Sequence, residues 1–427
     1  MANQRPVLQA YQKQEISHIF LGIDFGTSYT KVSYSYAFPN NPRRQHIETL
    51  KWDNNDFYKK SVLYYQNKRL YFEKPNENCV EIKYFKYSII EKKLQNNQQP
   101  TKCNFEELCC VYFLAQLIKR ALDKIFNSLS ISNTNEIKIS VNMGVPLENF
   151  YKGKNKTNKG LYLEILENAV TLAGGSQIET KIPENQVLLS NLDKVYSEIL
   201  CKKAKLNWNV NVCPELAAEL LLYHESKFVH DGLYAVVDIG GGTVDMALFL
   251  KETTTDTHNA TMGCVNQTIL PYGMEIYKSR NVVNFDNEDL IQNFCKLIME
   301  SKRNTKNNKW IKTSEFKKIN VFFLGGGSND SWYTNAIKDS SNRLKSADIS
   351  LDFSETIKRY IEDEDILVVK EQRLIISQML ARHIDEITNV NGFPDFFNDP
   401  VSNEDPSMSN MYDIMYERAK NSGWDDN

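Results

Sequence analysis

The residues in this chain best suited to chemistry are carboxylates set beside glycines and hydroxyls. Asp24-Phe25-Gly26-Thr27-Ser28 and Asp238-Ile239-Gly240-Gly241-Gly242-Thr243-Val244-Asp245 both carry that combination. Glycine has no Cβ to hold a phosphate away from the backbone, and successive turn amides make an anion cradle. The hydroxyls and amides of Thr27 and Ser28 suit phosphate oxygens. Asp24, Asp238 and Asp245 would put carboxylates where a hydrated Mg2+ or an attacking water sits. Asp24 to Ser28 alone would pass for an ordinary turn. Three consecutive glycines between aspartates, inside apolar strands, would only weaken a sheet that needed no more than a turn. A third string, Gly325-Gly326-Gly327-Ser328, offers amides to a phosphate or sugar at the start of a helix.

Each string follows a run that reads as a buried strand: Ile19-Phe20-Leu21-Gly22-Ile23, Tyr234-Ala235-Val236-Val237 and Asn320-Val321-Phe322-Phe323-Leu324. Lys31-Val32-Ser33-Tyr34 and Met246-Ala247-Leu248-Phe249-Leu250 follow the first two strings, so each closes a β-hairpin. Two such hairpins facing each other would hold a nucleoside triphosphate from both sides. Around them, residues 44–90 alternate short strand runs with polar turns. Leu108, Val111, Leu114, Ile118, Leu122 and Ile125 mark an amphipathic helix over 104–129, and Ile137 to Met143 reads as a strand. Helices are expected over 158–172, 186–205, 214–225 with Pro214 in the first turn, 286–301 and 371–388. Beyond Asn391 the chain is rich in Pro, Asn and Asp and reads as a polar tail.

Bulk properties exclude several classes. With 427 residues, 41% apolar and 25% charged, the chain can fill two ordinary soluble domains. A net charge of −3 gives no general pull toward nucleic acid or anionic membrane. No run reaches the roughly 18 apolar residues of a membrane span, and Met1 to Ser17 lacks the apolar core of a secretory signal. The eight cysteines show no CxxC or Cys/His ligand spacing, so a reducing cytoplasm is the expected home. The basic stretch Ser301 to Lys318 contains an aromatic among lysines, but it reads as a solvated surface rather than a nucleic-acid contact.

The three strings, in this order, resemble the actin, sugar-kinase and heat-shock ATPase superfamily over roughly residues 18–388. The resemblance implies an α/β fold of two actin-like ATPase domains, ribonuclease H-like, with mixed sheets and flanking helices around a nucleotide cleft. Its domains would be 18–232, 233–370 with a reduced outer lobe, and a returning helix over 371–390, followed by the tail 391–427. Asp24 to Ser28 is similar to the first phosphate motif, Asp238 to Asp245 to the second, and Leu324 to Ser328 to the adenosine motif. Pro214 to Tyr223 and Arg373 to Ala381 resemble the two connecting helices. GGGT followed by Val-Asp is closest to the 70-kDa heat-shock chaperones. Val80 to Phe85 is similar to their segment carrying a catalytic lysine, which nominates Lys83, with Lys86 as the fallback. Glu300 to Arg303 resembles the helix whose basic groups flank adenine, nominating Lys302 and Arg303.

Some features depart from those chaperones. Cys213-Pro214-Glu215 stands where they have Glu before Pro, leaving Glu215 as the candidate to order water. Residues 391–427 are too few for a β-sandwich peptide-binding domain. The resemblance implies ATP and Mg2+ as ligands, slow hydrolysis with Asp238 or Lys83 orienting water, and a partner protein that reads domain closure. An actin-like filament, a nucleotide-binding regulator without hydrolysis and a small-molecule kinase are the alternatives, the last without an acceptor signature.

Overall fold

β1 (His18–Phe25), β2 (Tyr29–Phe38) and β3 (Asn41–Thr49) form an antiparallel meander, and the short β4 (Lys59–Lys60) also pairs with β2. The computed structural model describes residues 16–38, 41–52, 56–89, 105–131, 137–146, 157–177, 185–202, 205–225, 229–253, 260–275, 287–304, 311–353 and 372–384. All of these belong to one unit of contacts, Met1–Asn391. The fold is mixed α/β.

After the meander come β5 (Val62–Gln66), β6 (Arg69–Tyr71) and β7 (Val80–Lys83), then α1 (Phe105–Ser128), β8 (Lys138–Val145) and α2 (Thr157–Leu172). β9 (Gln186–Leu188), α3 (Leu189–Lys202), β10 (Asn209–Pro214) and α4 (Glu215–Glu225) complete this half. β8 lies parallel to β1, and β10 parallel to β8, giving the order β10-β8-β1-β2-β3. β1 is central, so Ile19, Phe20, Leu21, Ile23 and Phe25 are all buried, the continuous apolar run expected of a strand covered on both faces. α1 carries the expected stripe but is also buried at Cys109, Cys110, Tyr112, Phe113 and Leu117, because α2 and α3 pack on it. β5, β6, β7 and β9 form a separate antiparallel sheet in the order β7-β5-β6-β9.

The second half repeats the plan. β11 (Gly232–Ile239), β12 (Val244–Thr253) and β13 (Ala260–Leu270) are an antiparallel meander. After α5 (Asn287–Asn304), β14 (Lys318–Leu324) joins β11 in parallel; after α6 (Ser331–Lys345), β15 (Ser350–Asp352) joins β14 in parallel. The order β13-β12-β11-β14-β15 matches the first sheet strand for strand in polarity. Two hydrophobic cores accompany the two sheets, one drawn from Ile19 to Val212 and one from Leu233 to Ile349.

α4 touches β8 and β10 on one side and β13 on the other, and so links the two sheets. The last described helix, α7 (Ile375–Leu380), packs on β1, β2, β8 and α4. A Cβ on Gly22 would lie 2.2 Å from Ser377 O and 2.3 Å from Ala381 N, so α7 can cross β1 this closely only over a glycine.

Three expectations need correction here. The helix expected over 371–388 is interrupted at Ala381 to His383, before residue 384 is again helical; there the first sheet takes the carbonyls, as Asn142 Nδ2 donates to Leu380 O (2.8 Å) and Arg382 O (2.9 Å), and Ser35 Oγ to Ala381 O (2.5 Å). Residues 385–390 lie outside the described residues, as does 391–427. The helix expected over 186–205 begins as β9, where Val187 is buried and pairs with Leu70. Pro214 closes edge strand β10 opposite Val145 rather than entering the helix, and an edge position costs it no ladder bond. Among the described residues no helix is long and apolar enough to cross a membrane.

Candidate functional site

The duplicated topology puts Asp24 and Asp238 at the same position of equivalent strands. Phe25 pairs with Thr30 and Ile239 with Val244, so each turn spans four residues, Gly26 to Tyr29 and Gly240 to Thr243. The turns meet tip to tip. A Cβ on Gly241 would fall 2.4 Å from Ser28 Oγ, and one on Gly242 would fall 2.6 Å from Thr27 Oγ1. The carbonyls of both turns are anchored from behind. Ser61 N and Oγ bond Ser28 O (2.9 Å) and Gly26 O (2.7 Å) in the first. In the second, the amides of Gly273, Met274 and Glu275 bond the carbonyls of Gly242, Gly240 and Gly241 at 3.1, 2.9 and 2.9 Å.

Across the ladder the hairpins differ. Asp24 faces Lys31 and accepts a 2.7 Å ion pair from it. Burial works to lower the Lys31 pKa, but the charges of Asp24, then Asp238 and Glu215, outweigh it and hold the ammonium above its ordinary value. Asp238 faces Asp245. Burial first, then the charges of Glu215 and Asp24, push Asp238 up to about 7 against the pull of Lys31 and Lys86. Burial and the charges of Asp238 and Glu215 carry Asp245 well above the carboxylate range, although Thr243 Oγ1 donates to its Oδ2 (3.0 Å).

Glu215 starts α4, where its carboxylate accepts from Lys86 Nζ at 2.9 Å. Lys86 is buried and also donates to Phe25 O, at the mouth of the first turn. Lys83 goes elsewhere. It ends β7, is half-exposed and pairs with Glu81 at 2.5 Å. Lys83 instead lines a cavity of about 170 Å3 beside the first turn, together with Thr27, Ser28, Tyr64, Tyr84 and Glu275. Tyr84 separates the two lysines with a left-handed φ of 60°, so the chain reverses between them.

The loop after β14 wraps the base of the second hairpin. Gly325 has φ 76°, and a Cβ there would sit 2.1 Å from Asp238 Oδ1. Gly327 N donates to Ile239 O (2.9 Å), while a Cβ on Gly326 would enter open space. The helix that follows begins only at Ser331, and Asp330 already caps it by accepting from Trp332 N (3.0 Å). The helix start is therefore filled by the protein's own carboxylate, leaving Gly326 and Asn329 as the exposed part of the loop. Lys302 is not brought to this loop: its Nζ donates to Ala347 O (2.6 Å), past the far end of α6. A helix of 15 residues makes that separation roughly 22 Å. Arg303, next to it on α5, has a buried Nη2 without a hydrogen-bond partner.

The structure thus assembles Asp24, Asp238, Asp245 and Glu215 with Lys31 and Lys86 between the two sheets, with Gly26 to Ser28, Gly240 to Thr243 and Gly325 around them. Sequence reasoning left Glu219 out. It sits one turn after Glu215 on α4, 4% exposed, and its carboxyl is held well above the usual range by burial and by Asp238, Asp24, Glu215 and Asp245. A Glu-x-x-x-Glu spacing, which places both on one helix face, was the available signal. Among the described residues, no group of three or more His, Cys, Asp or Glu side chains converges closely enough to ligate a metal directly. No protein-family model matches this sequence, and no curated protein matches it significantly.

Proposed function

We propose that the chain binds a nucleoside triphosphate with Mg2+ between its two glycine turns and acts as a slowly hydrolysing switch. One observation carries the reading: two turns of equal length, each preceded by an aspartate at the same register, meet tip to tip in a duplicated mixed α/β fold. The duplication supports assignment to two actin-like ATPase domains.

The residues fit a hydrated Mg2+ better than a bare one. Asp238 lacks a basic partner of its own, and Asp24 and Asp238 share one electrostatic cluster, so they would hold the ion through its waters. When bound, Mg2+ supplies charge neutralisation on the phosphate oxygens. The amides of Gly240 to Gly242 and the hydroxyls of Thr27, Ser28 and Thr243 stabilise the transferring group by position and charge. Lys86 takes the catalytic-lysine role in place of Lys83, since its ammonium stands between Phe25 O and Glu215. Glu215 and Asp238 order the attacking water. Asp238 is the carboxylate placed to accept its proton. The base end goes to the exposed backbone at Gly326, without Lys302.

The turns touch, so a polyphosphate can enter only by parting them. Binding is then coupled to separation of the two sheets, a change that a partner protein can read through α4. The test is phosphate release from ATP with Mg2+. Asp238→Ala should cut turnover by about two orders of magnitude or more while leaving nucleotide binding largely intact. Lys83→Ala should lower turnover less than Lys86→Ala does. Full activity in Asp238→Ala would sink the proposal.

A further inference from the structure

The cavity of about 170 Å3 beside the first turn has room for roughly a dozen waters, the space of a small metabolite. Its walls come from both halves of the fold. Thr27 and Ser28 belong to the first turn, Lys60 to β4 and Tyr64 to β5, while Glu275 follows β13. The Glu275 amide bonds Gly241 O at 2.9 Å, so its side chain departs from the backing of the second turn.

Part of this lining is already committed. Ser61 Oγ donates to Gly26 O and meets Thr30 Oγ1, and Lys83 and Glu81 neutralise each other. The rest is not. Ser28 Oγ is buried without a hydrogen-bond partner. Among the described residues, Lys60 and Glu275 form no ion pair, with each other or with any other side chain. Two opposite charges from different halves therefore face one polar cavity, each unanswered.

That pattern selects among ligands. An anion would answer Lys60 but meet the carboxylates of Glu275 and Glu81. A cation would answer Glu275 but meet Lys60 and Lys83. An uncharged polyol would bond the hydroxyls and leave both charges without a counter-charge. A molecule carrying an ammonium and a carboxylate answers both, and each contact is then a charge-assisted hydrogen bond.

We propose that this cavity binds a free α-amino acid, its ammonium on Glu275 and its carboxylate on Lys60, with the hydroxyls of Thr27, Ser28 and Tyr64 completing the contacts. The ligand joins the first half to the second beside the turn tips, and so holds together the surfaces that a polyphosphate would part. The site stands whether or not a nucleotide binds, because its two charged groups lie outside the turns.

The test uses the full chain, free of nucleotide, screened against the standard amino acids by saturation-transfer NMR, with the hit titrated by calorimetry. At least one amino acid should bind with a Kd of about 1 mM or tighter and raise the melting temperature. Analogues of the hit that lack its carboxylate or its ammonium should bind about tenfold more weakly or worse, the scale of one charge-assisted hydrogen bond. Lys60→Met and Glu275→Gln should each weaken the hit by a similar factor. The proposal is overturned if no amino acid binds, if either single-charge analogue binds as tightly as its parent, or if both variants keep the affinity undiminished. Tighter binding of glycerol or glucose than of any amino acid would overturn the ligand class. ATP is absent throughout, so these outcomes and phosphate release are decided separately.

Discussion

Hairpins β1–β2 and β11–β12 set an aspartate two residues before a four-residue turn, in sheets of the same order and polarity. They differ in what faces that aspartate across the ladder. In the first it is Lys31, and the pair is neutral. In the second it is Asp245, and two carboxylates share the space. Cross-strand neighbours interact directly, so one substitution at one register position changes the electrostatic character of an otherwise repeated unit. The first hairpin is built to stay charged and fixed. The second raises the Asp238 carboxyl from its ordinary value to about 7.

That contrast predicts opposite stability effects for equivalent mutations. Asp24→Ala should destabilise the nucleotide-free protein by about 3 kcal/mol, because it leaves the Lys31 ammonium mostly buried without its partner. Asp238→Ala should stabilise it or leave it unchanged, because it removes a repulsive charge. Urea unfolding midpoints of the two variants decide the matter, and shifts of the same sign would break the comparison.

The turns should differ from position to position as well. Gly242→Ala should cost about 1–3 kcal/mol through overpacking, since the new methyl would meet Thr27 Oγ1 at 2.6 Å and Tyr87 Cδ2 at 3.1 Å. Gly240→Ala should cost less, its nearest neighbour being Thr243 O at 3.2 Å. Equal losses in thermal melts would argue against tips in contact.

Stability should also depend on pH. The Asp238 pKa is raised from 3.8 to about 7 on folding, so the folded state binds the extra proton between those values. Its contribution to stability is complete below about pH 4 and is lost as pH rises toward 7, with a slope of at most about 1.4 kcal/mol per pH unit. In EDTA, Asp238→Asn should flatten that slope. A wild-type slope identical to the variant's would show that Asp238 titrates normally.

Much of this was legible in the sequence because it is local. Apolar runs flanking Gly-rich turns mark a hairpin whatever surrounds it, and the stripe in α1 was visible from spacing alone. The lysines show where local reading stops. Lys83 and Lys86 lie three residues apart in sequence, and the left-handed turn at Tyr84 sends one to the cavity beside the first turn and the other to Phe25 O and Glu215. Lys302 does not reach the loop at Gly325 because its ammonium is bonded to Ala347 O, past the far end of α6.

By itself, the sequence determined where the chain turns at the glycine strings, which strands are buried and which carboxylates stand at the turns, since these follow from side-chain size and backbone freedom over a few residues. Only the tertiary structure decided which charges meet: Lys31 with Asp24, Lys86 with Glu215, and Glu219 with the cavity under Asp245. The energy of a charge depends on distance and burial, and both are set by segments far apart in the chain.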